Sequence, residues 1–196
     1  LILAAGKSNR IYSQIKKHKC LIKIKKISLI DKIIKESKEA KIFDKINVVV
    51  GFKKEILKKK LNKHKVNFIY NKDYSKKDML YSLKVGLKNI EEDVLISYSD
   101  IYFSKKIFKR IERYKENKIS IPILKNWKNI WKLRKKDIFE DCETLIYDKN
   151  FDLIEIGKKI VDPKKTMGQY MGLIYIPKFK LKLVKEKINS NKNPKM

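Results

Sequence analysis

Leu1-Ile2-Leu3-Ala4-Ala5-Gly6-Lys7-Ser8-Asn9-Arg10 sets the architecture of the chain. An apolar run of strand length stops at two alanines and a glycine, then turns basic. A short apolar run closed by a turn signal suits a fully buried strand of a parallel sheet. Beyond Leu3, the nearly bare backbone of Ala4, Ala5 and Gly6 lets an anionic ligand approach the N–H groups closely. Lys7 and Arg10 add positive charge at the rim. The arrangement suits a polyphosphate at the carboxyl end of a strand, where open α/β sheets hold ligands. Gly6-Lys7-Ser8 is not a Walker A loop, because Leu1 stands where that motif needs a glycine. A dinucleotide fingerprint needs three closely spaced glycines, and only Gly6 is present. A buried strand with an ordinary basic turn is the plain alternative.

Downstream, strands and helices alternate. Ser28 to Ala40 carries Leu29, Ile30, Ile33 and Ile34 at helical spacing. Ile46 to Val50, ended by Gly51, reads as a buried strand, Glu55 to Leu61 as a short helix, and Val66 to Tyr70 as the next strand. Met79, Leu80, Leu83 and Leu87 mark a further helix, Val94 to Tyr98 a strand, and Ile107, Phe108 and Ile111 another helix. Ile119 to Ile123 reads as one more strand. This rhythm predicts an α/β fold with a Rossmann-like, mostly parallel sheet and helices on both faces. Past Pro122 the rhythm changes. Thr144 to Tyr147 and Leu153 to Ile156 predict an antiparallel hairpin, Tyr170 to Ile176 a strand, and Phe179 to Ile188 a last helix. There is no internal repeat.

With 196 residues the chain can bury about 70% of its unfolded surface. One domain over residues 1–196 is the expectation, and both ends read as cut. Leu1 already lies inside a strand, and Asn189 to Pro194 reads as a linker. Cys20 and Cys142 are far apart and have no neighbours at metal-ligand spacing, which argues against a disulfide scaffold and fits a cytoplasmic setting. No apolar run approaches the ~18 residues of a membrane span. The net charge of +28 raises the question of nucleic acid. Only Arg10, Arg110, Arg113 and Arg134 are arginine, leaving 46 of the 50 basic residues as lysine spread along the whole chain. Bidentate base and phosphate recognition favours clustered arginine, so the charge reads as solvated lysine faces rather than a specific nucleic-acid surface.

Leu-x-Ala-Ala-Gly-x-x-x-Arg resembles the signature loop of the nucleotidyltransferases that join a nucleoside triphosphate to a phosphorylated sugar or alcohol. In that family a lysine follows, usually as Pro-Lys, before a short apolar strand. Here His18-Lys19-Cys20-Leu21-Ile22-Lys23-Ile24 supplies Lys19, with His18 in the proline's place, leaving that turn less rigid. Further along, Trp127-x-x-x-Trp131-x-x-Arg134, Asp141-Cys142-Glu143, Ile156-Gly157-Lys158 and Gly168-Gln169-Tyr170-Met171-Gly172-Leu173 resemble the acceptor half of the phosphocholine cytidylyltransferase-like branch. The resemblance runs from Leu1 to about Ile176. It implies a fold of the nucleotide-diphospho-sugar transferase type, with residues 1–122 as a nucleotide-binding half and 123–176 as a small antiparallel acceptor-binding lobe.

The resemblance also implies roles. Leu3, Ala4, Ala5, Gly6 and Lys7 would hold the triphosphate, and Arg10 and Lys19 would act on its charge. Asp100, at the tip of the strand ending Ser97-Tyr98-Ser99, would bind Mg²⁺, an ion that takes one or two carboxylates and keeps substrate phosphates as further ligands. A helix-cap role for Asp100 stays open. A second metal carboxylate is expected beyond Met196. Asp78 and Ser82 would contact the nucleotide and Tyr81 the acceptor; Lys77 and Asp78 replace the family's threonine and asparagine, and Asp78 equally suits a helix N-cap. Trp127, Trp131 and Tyr170, with Asp141 and Glu143, suit an ammonium head group through cation–π contacts, or pack a core. Lys158 would reach the acceptor phosphate, and His18 and His64 read as incidental. The expected partners are a nucleoside triphosphate and a small phosphorylated acceptor. The expected activity is nucleotidyl transfer, with CTP as donor and phosphocholine as acceptor. A sugar 1-phosphate or aminoethylphosphonate acceptor is the enzymatic alternative, and a basic polyanion-binding or catalytically dead relative the non-enzymatic one.

Overall fold

The computed structural model describes residues 1–114, 118–133, 137, 139–140, 142–160 and 166–190, with the backbone alone at Arg10, Ile11 and Tyr114. In chain order the first elements are β1 (Ile2–Ala4), α1 (Asn9–Ile15), β2 (Lys23–Ile24), β3 (Ile27–Ser28), α2 (Leu29–Ala40), β4 (Asn47–Val50), α3 (Lys54–Leu61), β5 (Asn67–Tyr70), α4 (Met79–Leu87) and β6 (Val94–Tyr98). There follow α5 (Lys106–Tyr114), β7 (Ile123–Leu124), α6 (Trp127–Lys132), β8 (Glu143–Tyr147), β9 (Leu153–Lys159), β10 (Gln169–Tyr170), β11 (Leu173–Ile176) and α7 (Lys178–Ser190).

β1 is the middle strand of a five-stranded sheet of order β11-β6-β1-β4-β5. It pairs parallel with β4 and with β6, and β4 pairs parallel with β5. The two-residue period of a strand then divides its side chains between two cores. Ile2, Ala4, Val48, Val50 and Leu95 join Ile30, Ile33, Ile34, Leu57 and Phe108 on one face. Leu3, Ala5, Val49, Val94 and Ile96 join Leu87 and Leu181 on the other. Continuous apolar runs are therefore required in these strands, since neither face meets water.

Local chemistry fixes the helices. Ser28 accepts the Asp31 N–H at 3.2 Å and donates its hydroxyl to the Asp31 carboxylate at 2.6 Å, which starts α2. α4 crosses the sheet closely because Gly86 has no side chain; a Cβ there would lie 2.8 Å from Val49 Cγ2 and 2.9 Å from Leu1 Cδ2.

Two expected strands differ. Residues 119–123 do not form a strand of the sheet: Ser120 makes an isolated bridge to Tyr175, and only Ile123–Leu124 pairs, antiparallel to β10. Pro122, which has no N–H to donate, interrupts any continuous ladder there. The strand expected over Tyr170 to Ile176 is broken at Met171-Gly172, where Gly172 takes φ +77°. Its second half, β11, forms the sheet edge antiparallel to β6, so the sheet is mixed.

The chain divides into two compact units, residues 1–120 with 173–196, and residues 121–172. The second contains the β7–β10 pair, α6 and the bulged β8–β9 hairpin. Asp148 closes that hairpin by accepting the N–H groups of Asn150 and Asp152 at 2.8 and 2.9 Å. Among the described residues, no helix is long and apolar enough to cross a membrane.

Candidate active site

At the carboxyl end of β1, Ala4 and Ala5 are buried while Gly6 is exposed, and among the described residues nothing lies within 4 Å of where its Cβ would stand. The neighbouring strand approaches the turn closely. The Phe52 N–H donates to the Ala5 carbonyl at 3.0 Å, and a Cβ on Gly51 would lie 2.8 Å from that same oxygen. Ser8 follows in the left-handed region, φ 62°, and opens α1. Lys7 is half-buried, and Arg10 lies in α1 with only its backbone described.

Lys19 begins a single 3₁₀ turn, Lys19–Leu21. Its N–H donates to Ser8 Oγ at 3.1 Å, which ties the turn to the loop after β1. Its Nζ lies 2.8 Å from Asp100 Oδ2, with about a third of each side chain exposed (34% and 32%). Asp100 follows β6, the parallel neighbour of β1, so adjacent strand ends bring the glycine turn, the lysine and the acid to one place.

Asp78, Tyr81 and Ser82 stand at the start of α4. Asp78 caps the helix by accepting the Tyr81 N–H at 3.0 Å, while its Oδ2 is buried with no hydrogen-bond partner among the described residues. Ser82 is buried and accepts from Asn71 Nδ2 at 2.9 Å. Tyr81 donates its hydroxyl to Asp73 at 2.9 Å; that bond, followed by burial, raises its pKa above the ordinary phenol value. A cavity at the amino end of the same strands, lined by Leu1, Ile42, Phe43, Asp93 and Tyr175, contains none of these groups.

In the second unit, Trp127 and Trp131 do share one face of α6, with ring centroids 6.0 Å apart and nearly perpendicular. Trp127 is 1% exposed and also packs against Phe139. Its ring is enclosed within the second unit, which accords with the packing alternative left open for it in the sequence. Trp131 and Tyr170 are only partly buried. Gln169 Nε2 donates to the Glu143 carbonyl at 3.2 Å, and the Glu143 carboxylate lies beside Gly157, 3.9 Å from where a Cβ would stand. Lys158 donates its N–H to Thr144 Oγ1 at 3.2 Å, and its exposed Nζ pairs with Glu155. Asp141 and Arg134 lie outside the described residues.

A family model described as the MobA-like NTP transferase domain matches residues 1–152. The chain belongs to that family. This nucleotidyltransferase is 34% identical, over 181 residues, to the CTP:phosphoglutamine cytidylyltransferase of Campylobacter jejuni; the match covers 88% of this chain and 70% of that protein. Its fold is similar to that of the CTP:phosphocholine cytidylyltransferase of Streptococcus pneumoniae, with a TM-score of 0.70 at 21% identity over 96% of this chain and 74% of that one. The inositol-1-phosphate CTP transferase of T. maritima gives 0.66 at 20% identity over 93% and 71%.

Three residues of this nucleotidyltransferase had been given no role in the sequence. His18 is 2% exposed beneath the glycine turn, although its sequence neighbours are lysines. Burial, the dominant influence, pushes its pKa below the usual imidazole value, against the backbone carbonyl of Ala4. Asn71 is fully buried and organises the start of α4 through Ser82, while its Oδ1 accepts the Asp73 N–H at 3.0 Å. Asp73 in turn holds Tyr81. The only signal for Asn71 was its place at the end of a strand, where a buried amide can join two segments.

Proposed function

We propose that the chain transfers CMP from CTP to a small phosphorylated acceptor and releases pyrophosphate. The observation that carries this reading is the meeting of Lys19 with Asp100 beside the open glycine turn. Amides around Ala5 and Gly6 cradle the triphosphate, with Lys7 and Arg10 on its β and γ groups. Lys19 stabilises charge at the α-phosphate. An acceptor phosphate oxygen attacks the α-phosphorus in line; the new P–O bond forms as the bond to the β-phosphate oxygen breaks. The acceptor oxygen is already ionised at neutral pH, so no general base is needed. Positioning and charge neutralisation do the remainder.

Asp100 would hold Mg²⁺. A single carboxylate on a shared phosphate site fits that ion, which completes its shell with phosphates and water. Among the described residues no cluster of three or more acids, histidines or cysteines competes for this role. When bound, the ion supplies Lewis-acid neutralisation of the triphosphate.

Asp78 and Ser82 support the nucleotide and Tyr81 the acceptor. In the second unit, the partly exposed Trp131 and Tyr170, with Glu143 and Lys158, are the acceptor contacts. Phosphocholine suits this aromatic and acidic set, and phosphoglutamine, named in the curated relative, belongs in the same test. A screen of pyrophosphate release tests the reading, using the four ribonucleoside triphosphates and dTTP against phosphocholine, phosphoglutamine, aminoethylphosphonate and hexose 1-phosphates. Mg²⁺-dependent release with CTP and one of the first three is expected. Preference for UTP or dTTP with a hexose phosphate, or no release with any pair, would overturn it.

A further inference from the structure

We propose that His18 is a positioning residue: its buried ring fastens the glycine turn after β1 to Lys19, doing by contact what a proline at the same place does by covalent restraint. The inference rests on the roles proposed for that turn and for Lys19.

His18 takes φ −63° and ψ 132°, and among the described residues its N–H has no acceptor, so the backbone here is already that of a proline. Its side chain adds what proline lacks. Nδ1 accepts the Cys20 N–H at 3.4 Å and lies 3.0 Å from Cys20 Sγ, which assigns the proton of the neutral ring to Nε2. Nε2 is buried without a partner of hydrogen-bond geometry, and the carbonyls of Ala4 and Gly6 are the backbone acceptors acting on the ring. The ring, 2% exposed, therefore holds the turn by packing beneath it rather than by a hydrogen bond from Nε2. Two further ties close the arrangement. Ser8 Oγ takes the Lys19 N–H at 3.1 Å, and Phe52, whose ring centroid is 6.3 Å from the imidazole, donates its N–H to Ala5. The phosphate-facing turn and the lysine are thereby held as one piece.

The test uses His18→Ala and His18→Pro in the whole chain, each also in a Lys19→Ala background. Amide hydrogen exchange at Lys19 and Phe52, measured without ligand, reads the attachment of the turn directly. His18→Ala is expected to speed exchange at both amides by about 10-fold and to lower kcat by at least about 10-fold, with His18→Pro returning both to within about 3-fold of the parent. In the Lys19→Ala background, His18→Ala should lower kcat no further, because it acts through that lysine. Unchanged exchange in His18→Ala, or an equal loss of kcat in both backgrounds, overturns the proposal. Should His18→Ala fail to fold, His18→Pro decides alone. Near-parental kcat supports the restraint, whereas a folded proline variant with kcat down by more than about 10-fold overturns it. A parent chain that releases no pyrophosphate with any substrate defeats the functional reading instead, and the exchange comparison still decides the role of His18.

Discussion

Lys19 Nζ and Asp100 Oδ2 lie 2.8 Å apart, joining the 3₁₀ turn that follows α1 to the tip of β6. The lysine occupies the carboxylate that the proposed mechanism gives to a cation, so the two compete for Asp100. Lys19→Gln should tighten Mn²⁺ binding by roughly 3- to 10-fold, the scale of a partly exposed ion pair, and Asp100→Asn should abolish it. Both variants should lower kcat by about 10²- to 10³-fold, as removal of a charge-stabilising group does elsewhere. Isothermal titration and pyrophosphate release check this. Parallel losses of metal affinity in the two variants would refute the competition.

Gly6 and Gly51 border the same turn but do different work. Among the described residues nothing lies within 4 Å of a Cβ on Gly6, whereas a Cβ on Gly51 would stand 2.5 Å from Tyr74 Cβ and 2.8 Å from the Ala5 carbonyl. Gly6→Ala should leave stability unchanged or raise it by about 0.5 kcal/mol, while raising KM for the triphosphate that needs the space. Gly51→Ala should cost about 1–3 kcal/mol through overpacking. Thermal melting together with KM separates the two; a destabilised Gly6→Ala with unchanged KM would make the turn purely structural.

The strands of the parallel sheet were legible because their local sequence is constrained on both faces. Ile2 to Ala4, Val48 to Val50 and Val94 to Ile96 feed two cores, and only continuous apolar runs can do that. Lys19 and Asp100 were legible through a motif, and their meeting follows from the adjacency of β1 and β6. The antiparallel edge β11 was not legible, since nothing in Leu173 to Ile176 distinguishes a partner 76 residues or more upstream from a local one. His18 and Asn71 were missed for a related reason. A polar residue's burial is decided by what folds over it, here the glycine turn and the start of α4.

Asp31 links the start of α2 to the end of α3 through Ser28, His64 and Lys63, the His64 contact measuring 2.6 Å. Burial alone would raise its pKa, but hydrogen bonds from Ser28, His64 and Lys63 outweigh it and hold the carboxyl below the usual range. A depressed folded-state pKa contributes stability that is complete above the unfolded value, about 4, and is lost as pH falls through the folded one. The destabilisation caused by Asp31→Asn should therefore be full at pH 7 and shrink progressively below pH about 4. Urea midpoints across that range provide the measurement, and a difference independent of pH would show that the carboxylate's charge is irrelevant. Ser28→Ala should cost about 1 kcal/mol as a lost cap.

Trp127 and Trp131 touch edge to face, yet their exposures assign them different work, and because the chain has two tryptophans each single variant leaves one tryptophan, excited selectively above the tyrosine band. Trp127, 1% exposed between Trp131 and Phe139, supports the second unit, so Trp127→Ala should cost about 3–5 kcal/mol. Trp127→Phe keeps a ring in the core and isolates the emission of Trp131. Phosphocholine or phosphoglutamine, whichever supports turnover, should quench that emission in a saturable way, while the Trp127 emission left in Trp131→Phe stays constant. In Trp131→Phe, KM for the acceptor should rise with KM for CTP unchanged, because a cation–π contact to the weaker ring is lost only with the acceptor bound. Equal quenching of both tryptophans, or a rise in the CTP value alone, would take Trp131 out of the acceptor site and leave the pair as packing.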